Sequence, residues 1–100
     1  MSLDFSLVKE VASENYTHNV TEMWVKAGCY DALYNSEGRC AEDLVPVLYA
    51  AIQDMLKRPA KYKALNPDNG WGDYDGALKF LLRIHEICLL FPSAIVSISK

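Results

Sequence analysis

The chain has 100 residues, of which 51% are hydrophobic and 23% are charged. This composition predicts one globular domain over residues 1–100 and excludes a largely disordered protein. The net charge of -3 excludes nucleic-acid binding through a general excess of Lys and Arg. The three cysteines, an odd number without C-x-x-C spacing, predict a reduced intracellular protein and neither a disulfide scaffold nor a structural zinc site.

The N-terminal residues Met-Ser-Leu-Asp lack the basic region and the long apolar run of a signal peptide. The longest apolar stretch, residues 84–91, is interrupted by His85 and Glu86 and is too short to span a bilayer. We therefore expect a soluble, cytoplasmic protein that contacts no membrane. In that compartment the matches to the N-glycosylation pattern at Asn15 and Asn19 are fortuitous.

The N-terminal segment alternates between apolar and polar residues. Leu3, Phe5 and Leu7 occupy every second position, which predicts a half-buried strand. Residues 13–19 are mostly polar, and a loop is predicted there.

Two amphipathic helices are predicted next. A capping-box pattern at Asn19 and Glu22 begins a helix that ends near Asn35. The second helix begins at residues 42–43, has Pro46 in its first turn and ends before Pro59. A short helical turn is expected to follow as far as residue 65. The apolar faces of the two helices comprise Val20, Met23, Trp24, Ala27 and Tyr34 in the first, and Val45, Leu48, Tyr49, Ile52, Met55 and Leu56 in the second.

Residues 74–91 are apolar except for a narrow charged stripe at Lys79, Arg83 and Glu86, which predicts a central third helix. After it, Val96 and Ile98 alternate with serines and predict a closing strand. Pairing residues 3–8 with residues 95–99 would satisfy two strands that are each marginal alone. The predicted fold class is therefore α+β, with three main helices and a two-stranded sheet formed by the N- and C-terminal segments.

Residues 66–73, called the Trp71 loop below, carry the most unusual composition of the chain, Asn-Pro-Asp-Asn-Gly-Trp-Gly-Asp. Pro67 biases the preceding residue away from helix, and the Asn-Gly pair at residues 69–70 favours a tight turn. The Trp71 indole is expected to fold back onto the domain, since its large surface is costly to leave in water. Gly72 permits that close approach, and Asp73 is expected to be the N-cap of the third helix.

Thr17, His18 and Asn19 precede the first helix, where a hydroxyl, an imidazole and an amide could converge on an anion or a small polar ligand. The simpler alternative is local capping by Thr17 and Asn19, with His18 left exposed. The sequence does not place this segment beside the Trp71 loop. If the two are adjacent, the candidate ligand- or partner-binding residues are His18, Asn19, Asp68, Asn69, Trp71, Asp73 and Tyr74.

No catalytic residue, metal or cofactor is predicted. His85 and Cys88 lie one helical turn apart, but in the most apolar helix, where a buried thiol reacts poorly. The acidic residues of the segment 68–75 do not have the ligand spacing of a calcium loop, since glycines occupy positions 70 and 72. The chain lacks the sequence motifs of nucleotide-binding proteins, hydrolases and zinc proteases, and catalysis from dispersed residues is left open.

The order of three segments resembles a family of small bacterial and phage-encoded proteins without an established activity. These segments are Thr17-His18-Asn19, Tyr30-Asp31-Ala32-Leu33 and Asn66-Pro67-x-Asn69-Gly70-Trp71-Gly72-x-Tyr74, and a closing strand follows them. The resemblance covers nearly the whole chain and implies an accessory or mobile-element context. It implies no cofactor and no catalytic residue.

Two functional hypotheses follow. The first is a non-enzymatic interaction domain that binds another protein through the acidic, aromatic corner at the Trp71 loop, with an inhibitor or immunity-like role by analogy only. The alternative is a small-ligand binding protein or minor enzyme with a pocket at the same corner. A flat apolar surface would favour the first, and a concavity with convergent polar groups the second. A homodimer through Leu89, Leu90 and Phe91 is a further possibility.

Overall fold

The computed structural model describes residues 2–7 and 12–100. In these residues the chain forms three strands, five α-helices and two short 3-10 helices, so the fold is α+β as predicted. In chain order the elements are β1 (Ser2–Leu7), β2 (Ala12–Thr17), a 3-10 helix (His18–Val20), α1 (Thr21–Ala27), α2 (Tyr30–Tyr34), a 3-10 helix (Ala41–Leu44), α3 (Val45–Lys57), α4 (Pro59–Lys63), α5 (Tyr74–Leu90) and β3 (Val96–Ser99).

The sheet is antiparallel with strand order β2-β1-β3. Strand β1 pairs with β3 over residues 4–7 and 96–99, which confirms the predicted pairing of the two terminal segments; Val8, at the end of the predicted N-terminal strand, lies outside the described residues. The apolar residues of β1 are fully buried against the helices. The alternate residues of β1 and β2 are polar and form the outer, mostly exposed face of the sheet: Ser2, Asp4, Ser6, Ser13, Asn15 and Thr17.

The prediction of a loop over residues 13–19 was wrong, because Ala12–Thr17 forms the edge strand β2. An edge strand with one solvated face can be polar at most positions, which removes the apolar alternation by which a strand is recognised. Only Tyr16 places a large side chain on the inner face, opposite Leu3. The two-stranded sheet of the prediction is therefore a three-stranded sheet.

The single first helix of the prediction was also wrong, because the segment divides into α1 and α2 at Gly28. Gly28 has a φ of 84°, and its N–H donates to the carbonyls of Trp24 and Val25. This left-handed C-cap is a conformation that glycine adopts without steric cost. The chain turns there, and α2 places Tyr34 against the core.

The remaining helices agree with the prediction except at the start of α3, which begins at Val45 after a 3-10 helix and not at residues 42–43. Helix α3 has Pro46 in its first turn, α4 is the short helical turn expected after Pro59, and α5 spans all but the last residue of its predicted range. Helices α3 and α5 pack against each other, and α5 also contacts β2. Among the described residues, no helix has both the length and the apolar character needed to cross a membrane.

An aromatic cluster joins the helices to the edge strand. The Trp24 ring of α1 lies 5.4 Å from Phe80 of α5 and 6.0 Å from Tyr34 of α2, measured between ring centroids. Tyr16 of β2 stacks on Phe80 at 5.9 Å and meets Trp24 edge-on at 6.3 Å. Aromatic pairs at these distances add roughly 0.5–1.5 kcal/mol each beyond the area they bury.

Gly76 in the first turn of α5 tests this packing. A Cβ atom added there would overlap the Tyr16 hydroxyl and lie 2.7 Å from its Cζ, and the ring cannot retreat because Trp24 and Phe80 hold it. We expect Gly76→Ala to lower the free energy of unfolding by about 2 kcal/mol, since overpacking outweighs the better helix propensity of alanine.

Urea denaturation followed by circular dichroism measures the effect. Adding Tyr16→Phe to Gly76→Ala removes the closest atom and should recover part of the loss. A Gly76→Ala variant as stable as the wild type, as helix propensity alone would allow, contradicts the packing.

Candidate functional site

The Trp71 indole does not fold back onto the domain, and that prediction was wrong. Its side chain is 70% exposed, whereas Trp24 is completely buried. Trp24, which the sequence places on the apolar face of the first helix, is enclosed by its aromatic neighbours. A large indole therefore projects from the loop into solvent.

The backbone that carries Trp71 is nevertheless held on both sides. Asn69 Oδ1 accepts from the Trp71 N–H at 2.9 Å, and Asn66 Oδ1 accepts from the Tyr74 N–H at 2.9 Å. Asp73 caps α5 as predicted, with its Oδ1 accepting from the Gly76 N–H at 2.7 Å. Short-range side-chain to backbone hydrogen bonds of this kind define the shape of a loop.

The Trp71 loop is also attached to the end of β2. The Asp73 N–H donates to the Tyr16 hydroxyl at 3.2 Å. A Cβ added to Gly72 would lie 2.6 Å from Thr17 Cγ2 and 3.1 Å from Val20 Cγ1, and the φ of Gly72 is 97°. Gly72 therefore allows a close approach, as expected. The approach brings the loop backbone against Thr17 and Val20, and it does not bury the Trp71 indole.

An open groove of about 770 Å³ lies between the Trp71 loop and the adjoining end of the sheet. Ser2 and Thr17 are cross-strand partners, and Asn15 lies two residues from Thr17 on the same outer face. The lining residues of the groove are Ser2, Asn15, Tyr16, Thr17, Asn19, Asn69, Trp71 and Gly72. The structure therefore brings the segment around Thr17 and Asn19 next to the Trp71 loop.

Apart from the Trp71 indole and Gly72, the described lining of the groove consists of residues with amide or hydroxyl groups. None of the described lining residues is charged. Three of the five asparagines of the chain, Asn15, Asn19 and Asn69, line it. Within residues 2–7 and 12–100, the side-chain amides of Asn15 and Asn19 make no hydrogen bond, and Asn69 uses only its oxygen. By contrast, Asn35 and Asn66 outside the groove bond to Asp31 and to the Tyr74 backbone.

The other predicted site residues do not line the groove. His18 Nδ1 lies 2.8 Å from the Tyr34 hydroxyl and shares a hydrogen bond with it, so His18 is not left exposed by the N-cap. Asp68 is not part of the lining, and Asp73 is used as the helix cap. Tyr74 is buried, and its hydroxyl donates to the Met55 carbonyl at 2.6 Å. Thr17 does act as a cap, since its Oγ1 accepts from the Asn19 N–H.

Sequence reasoning missed Ser2, Asn15 and Tyr16 as lining residues. All three depend on β2 being a strand, because only then do Ser2 and Asn15 share a face with Thr17. One signal was present in the sequence: Tyr16 is the only large aromatic residue in the polar segment 12–19, and a tyrosine in such a segment favours a half-buried strand.

The nucleophilic side chains of the core are unsuited to catalysis. Burial raises the pKa of the Cys88 thiol to about 11 and that of Cys29 to about 12, so both remain protonated at neutral pH. His85, one turn from Cys88, lies near the Tyr49 ring. In the described part of the chain, no three metal-binding side chains are grouped so as to hold an ion.

The most strongly perturbed carboxylate ties α3 to α4. Asp54 accepts hydrogen bonds from Tyr62, Lys61 and Arg58. The Tyr62 hydroxyl is the main cause that holds the Asp54 pKa below its usual range, with Lys61 and Arg58 adding to it. This cluster is far from the groove in sequence, shares no residue with its lining and is accounted for by the packing of two consecutive helices.

Comparison of the chain with protein-family models, with curated protein sequences and with solved structures gave no match. The groove's own geometry is therefore the starting point for assigning a function.

The two tryptophans provide a direct test of their places in the structure. We expect Trp71→Ala to change the free energy of unfolding by no more than about 0.5 kcal/mol, because most of the indole already contacts water. Trp24→Ala should cost roughly 3–5 kcal/mol, because it empties the centre of the aromatic cluster. Urea denaturation followed by far-ultraviolet circular dichroism measures both, and equal losses would contradict the exposed position of Trp71.

Proposed function

We propose that this protein is a non-enzymatic binding domain whose functional surface is the groove beside the Trp71 loop. The observation that carries the proposal is an exposed indole on an anchored backbone, next to asparagine amides that the described fold does not use. These features together supply an apolar contact surface and directional polar groups in one concavity.

Burial of the exposed Trp71 indole by a ligand would contribute favourable free energy to binding. A tryptophan side chain has roughly 150–250 Å² of surface, and burying apolar surface contributes about 25 cal/mol per Å². Covering the exposed 70% of Trp71 with a ligand would therefore contribute roughly 3 kcal/mol before the costs of association. Because the backbone on either side is already anchored to Asn69 and Tyr16, little ordering of the loop is needed on binding.

The groove chemistry supports binding without catalysis. Amide and hydroxyl side chains hold and orient polar groups, but they are weak acids and bases at neutral pH. The one imidazole near the groove, His18, is directed to Tyr34. The one nearby carboxylate on the loop that makes a hydrogen bond, Asp73, accepts from the backbone of α5.

The size and the polar lining of this open groove favour a ligand over a protein partner. A volume of about 770 Å³ lies within the roughly 300–1,000 Å³ typical of ligand sites. The lining is polar apart from the aromatic residues, whereas a surface for another protein is expected to be flatter and to have an apolar centre. The alternative of a small-ligand binding protein is therefore the one that we carry forward.

Two-dimensional ¹H–¹⁵N NMR with a mixed library of saccharides, short peptides and small neutral compounds tests the proposal. We expect at least one compound to shift the Trp71 indole resonance together with the side-chain amides of Asn15, Asn19 and Asn69. Trp71→Ala should abolish these shifts without unfolding the protein. Leu56→Ala, which truncates an exposed apolar residue of α3, is the matched control and should retain them. Shifts that map consistently elsewhere, or none at all, would refute the assignment of the groove.

A second candidate interaction is self-association through the end of α5. Leu89, Leu90 and Phe91 are 56%, 63% and 38% exposed, and three consecutive apolar residues in water are unfavourable for a monomer. We propose that this patch contacts its counterpart in a second copy, which would bury both in a two-fold symmetric interface.

Size-exclusion chromatography with light scattering measures this association. We expect a dimer at micromolar concentrations that Leu90→Lys converts to a monomer. Leu56→Lys places the same charge at a similarly exposed leucine of α3 and should remain dimeric. A monomeric wild-type protein over the whole concentration range would exclude the interface.

A further inference from the structure

We propose that the ligand of the groove is a neutral carbohydrate longer than one sugar unit. This inference rests on the proposed binding function and names the chemical class that the lining fits. It follows from three properties of the groove: its charge, the disposition of its aromatic surface, and the donors and acceptors that it offers.

The charge of the lining excludes ionic ligands as the preferred class. Among the described residues, no Lys, Arg, Asp or Glu side chain lines the groove, and the protein as a whole is acidic. A phosphate, sulfate or carboxylate group would lose its hydration in the groove without gaining a cation. A ligand with an ammonium group would find no carboxylate in the described lining itself, and the Asp4 carboxylate lies on the adjoining part of the outer face, opposite Asn15. The ligand is therefore uncharged where it contacts the lining.

The exposed Trp71 ring offers a flat apolar surface at the edge of a polar groove. Sugars match such a surface because the ring C–H bonds of a pyranose form an apolar face, while its hydroxyls project around the edge. Stacking this face on an indole buries apolar area on both partners. Trp71 is suited to this contact because its side chain is exposed while its backbone N–H is held by Asn69.

The amides of the groove match the hydroxyls of a sugar. Each asparagine side chain provides a carbonyl acceptor and an NH₂ donor, so it can pair with two neighbouring hydroxyls, one donating and one accepting. Asn15 and Asn19 have both groups unused within the described residues, and Asn69 has its NH₂ unused there as well. Ser2 adds a hydroxyl that can donate or accept a hydrogen bond.

The floor of the groove includes the outer face of the sheet, and the lining continues over the edge strand β2 to Tyr16, whose side chain lies on the inner face. Ser2, Asn15 and Thr17 share the outer face, so a ligand over them meets side chains. An extended peptide that adds to a sheet instead needs the unpaired backbone groups of an edge strand. Because β2 is itself an edge strand, the peptide library in the test below decides between recognition through hydroxyls and recognition through the backbone. Its volume of about 770 Å³ leaves room for more than one sugar ring.

Tryptophan fluorescence tests the inference, because Trp71 is exposed to quenchers while Trp24 is buried. The probes are neutral oligosaccharides of glucose, N-acetylglucosamine, mannose and galactose, a sulfated oligosaccharide, and a library of short neutral peptides. We expect at least one neutral oligosaccharide to shift the emission to shorter wavelength and to reduce quenching by acrylamide. Trp71→Ala should weaken its binding, measured by calorimetry, by about tenfold or more, and Trp71→Tyr should retain part of the affinity.

Asn15→Ala should also weaken binding by at least about fivefold, because it removes two unused polar groups from the groove. Gln53→Ala removes the same kind of amide from α3, outside the groove, and should bind as the wild type does. Circular dichroism confirms that each variant is folded, so that a loss of binding reports on the groove.

The remaining outcomes separate the inference from the proposed function. Binding of peptides but of no oligosaccharide at Trp71 would overturn the carbohydrate inference and leave the binding groove in place. Binding of only the sulfated oligosaccharide would overturn the preference for a neutral ligand. If no probe in the panel changes the fluorescence, the carbohydrate inference fails, and the broader NMR screen then decides whether the groove binds anything.

Discussion

The position of Tyr16 is the constraint on which both the fold and the groove depend. Its ring lies on the inner face of β2, where it stacks on Phe80 and meets Trp24. Its hydroxyl reaches the surface and accepts from the Asp73 N–H. One side chain therefore joins the buried aromatic cluster to the Trp71 loop, and the absence of a Cβ at Gly76 leaves space for it. Tyrosine suits this position because it combines an apolar body with a polar tip.

The two tryptophans differ in their surroundings, and the proposed function gives them separate roles in stability and in recognition. Trp24 is enclosed by aromatic rings from β2, α2 and α5, and its burial stabilises the packing of these elements. Trp71 makes its firm contacts through its backbone, which leaves the indole available to a ligand. Because the two proposed roles fall on different residues, Trp71 can be substituted without a large effect on the core. A residue that served both packing and recognition could not be changed in this way.

Part of the candidate site was predictable from the sequence, since Asn19, Asn69 and Trp71 line the groove as expected. Its other lining residues were not predicted as site residues. The turns of the Trp71 loop and the cap at Asp73 follow from local turn and capping chemistry, which acts over a few residues. The capping box predicted at Asn19 does not form, because the N-cap of α1 is Val20, without a side-chain hydrogen bond. Whether His18 and Tyr74 face a ligand or the protein depends on Tyr34 and Met55, which are distant in sequence. Ser2 and Asn15 join the site only through the pairing of β1 with β2. A hydrogen bond between distant residues leaves no periodic pattern, so these assignments required the folded chain.

Sequence alone determined the α+β class, the helices α3 and α5, and the pairing of the terminal strands. Each of these elements buries one face over several turns or residues, and burial of that extent imposes a repeat that can be read directly. Tertiary structure decided that residues 12–17 form an edge strand, that the first helix divides at Gly28, and that Trp71 stays exposed while Trp24 is buried as its helix pattern predicts. The physical reason is that two indoles have the same tendency to leave water, and the choice between them depends on which one the neighbouring rings of Tyr16, Tyr34 and Phe80 can enclose.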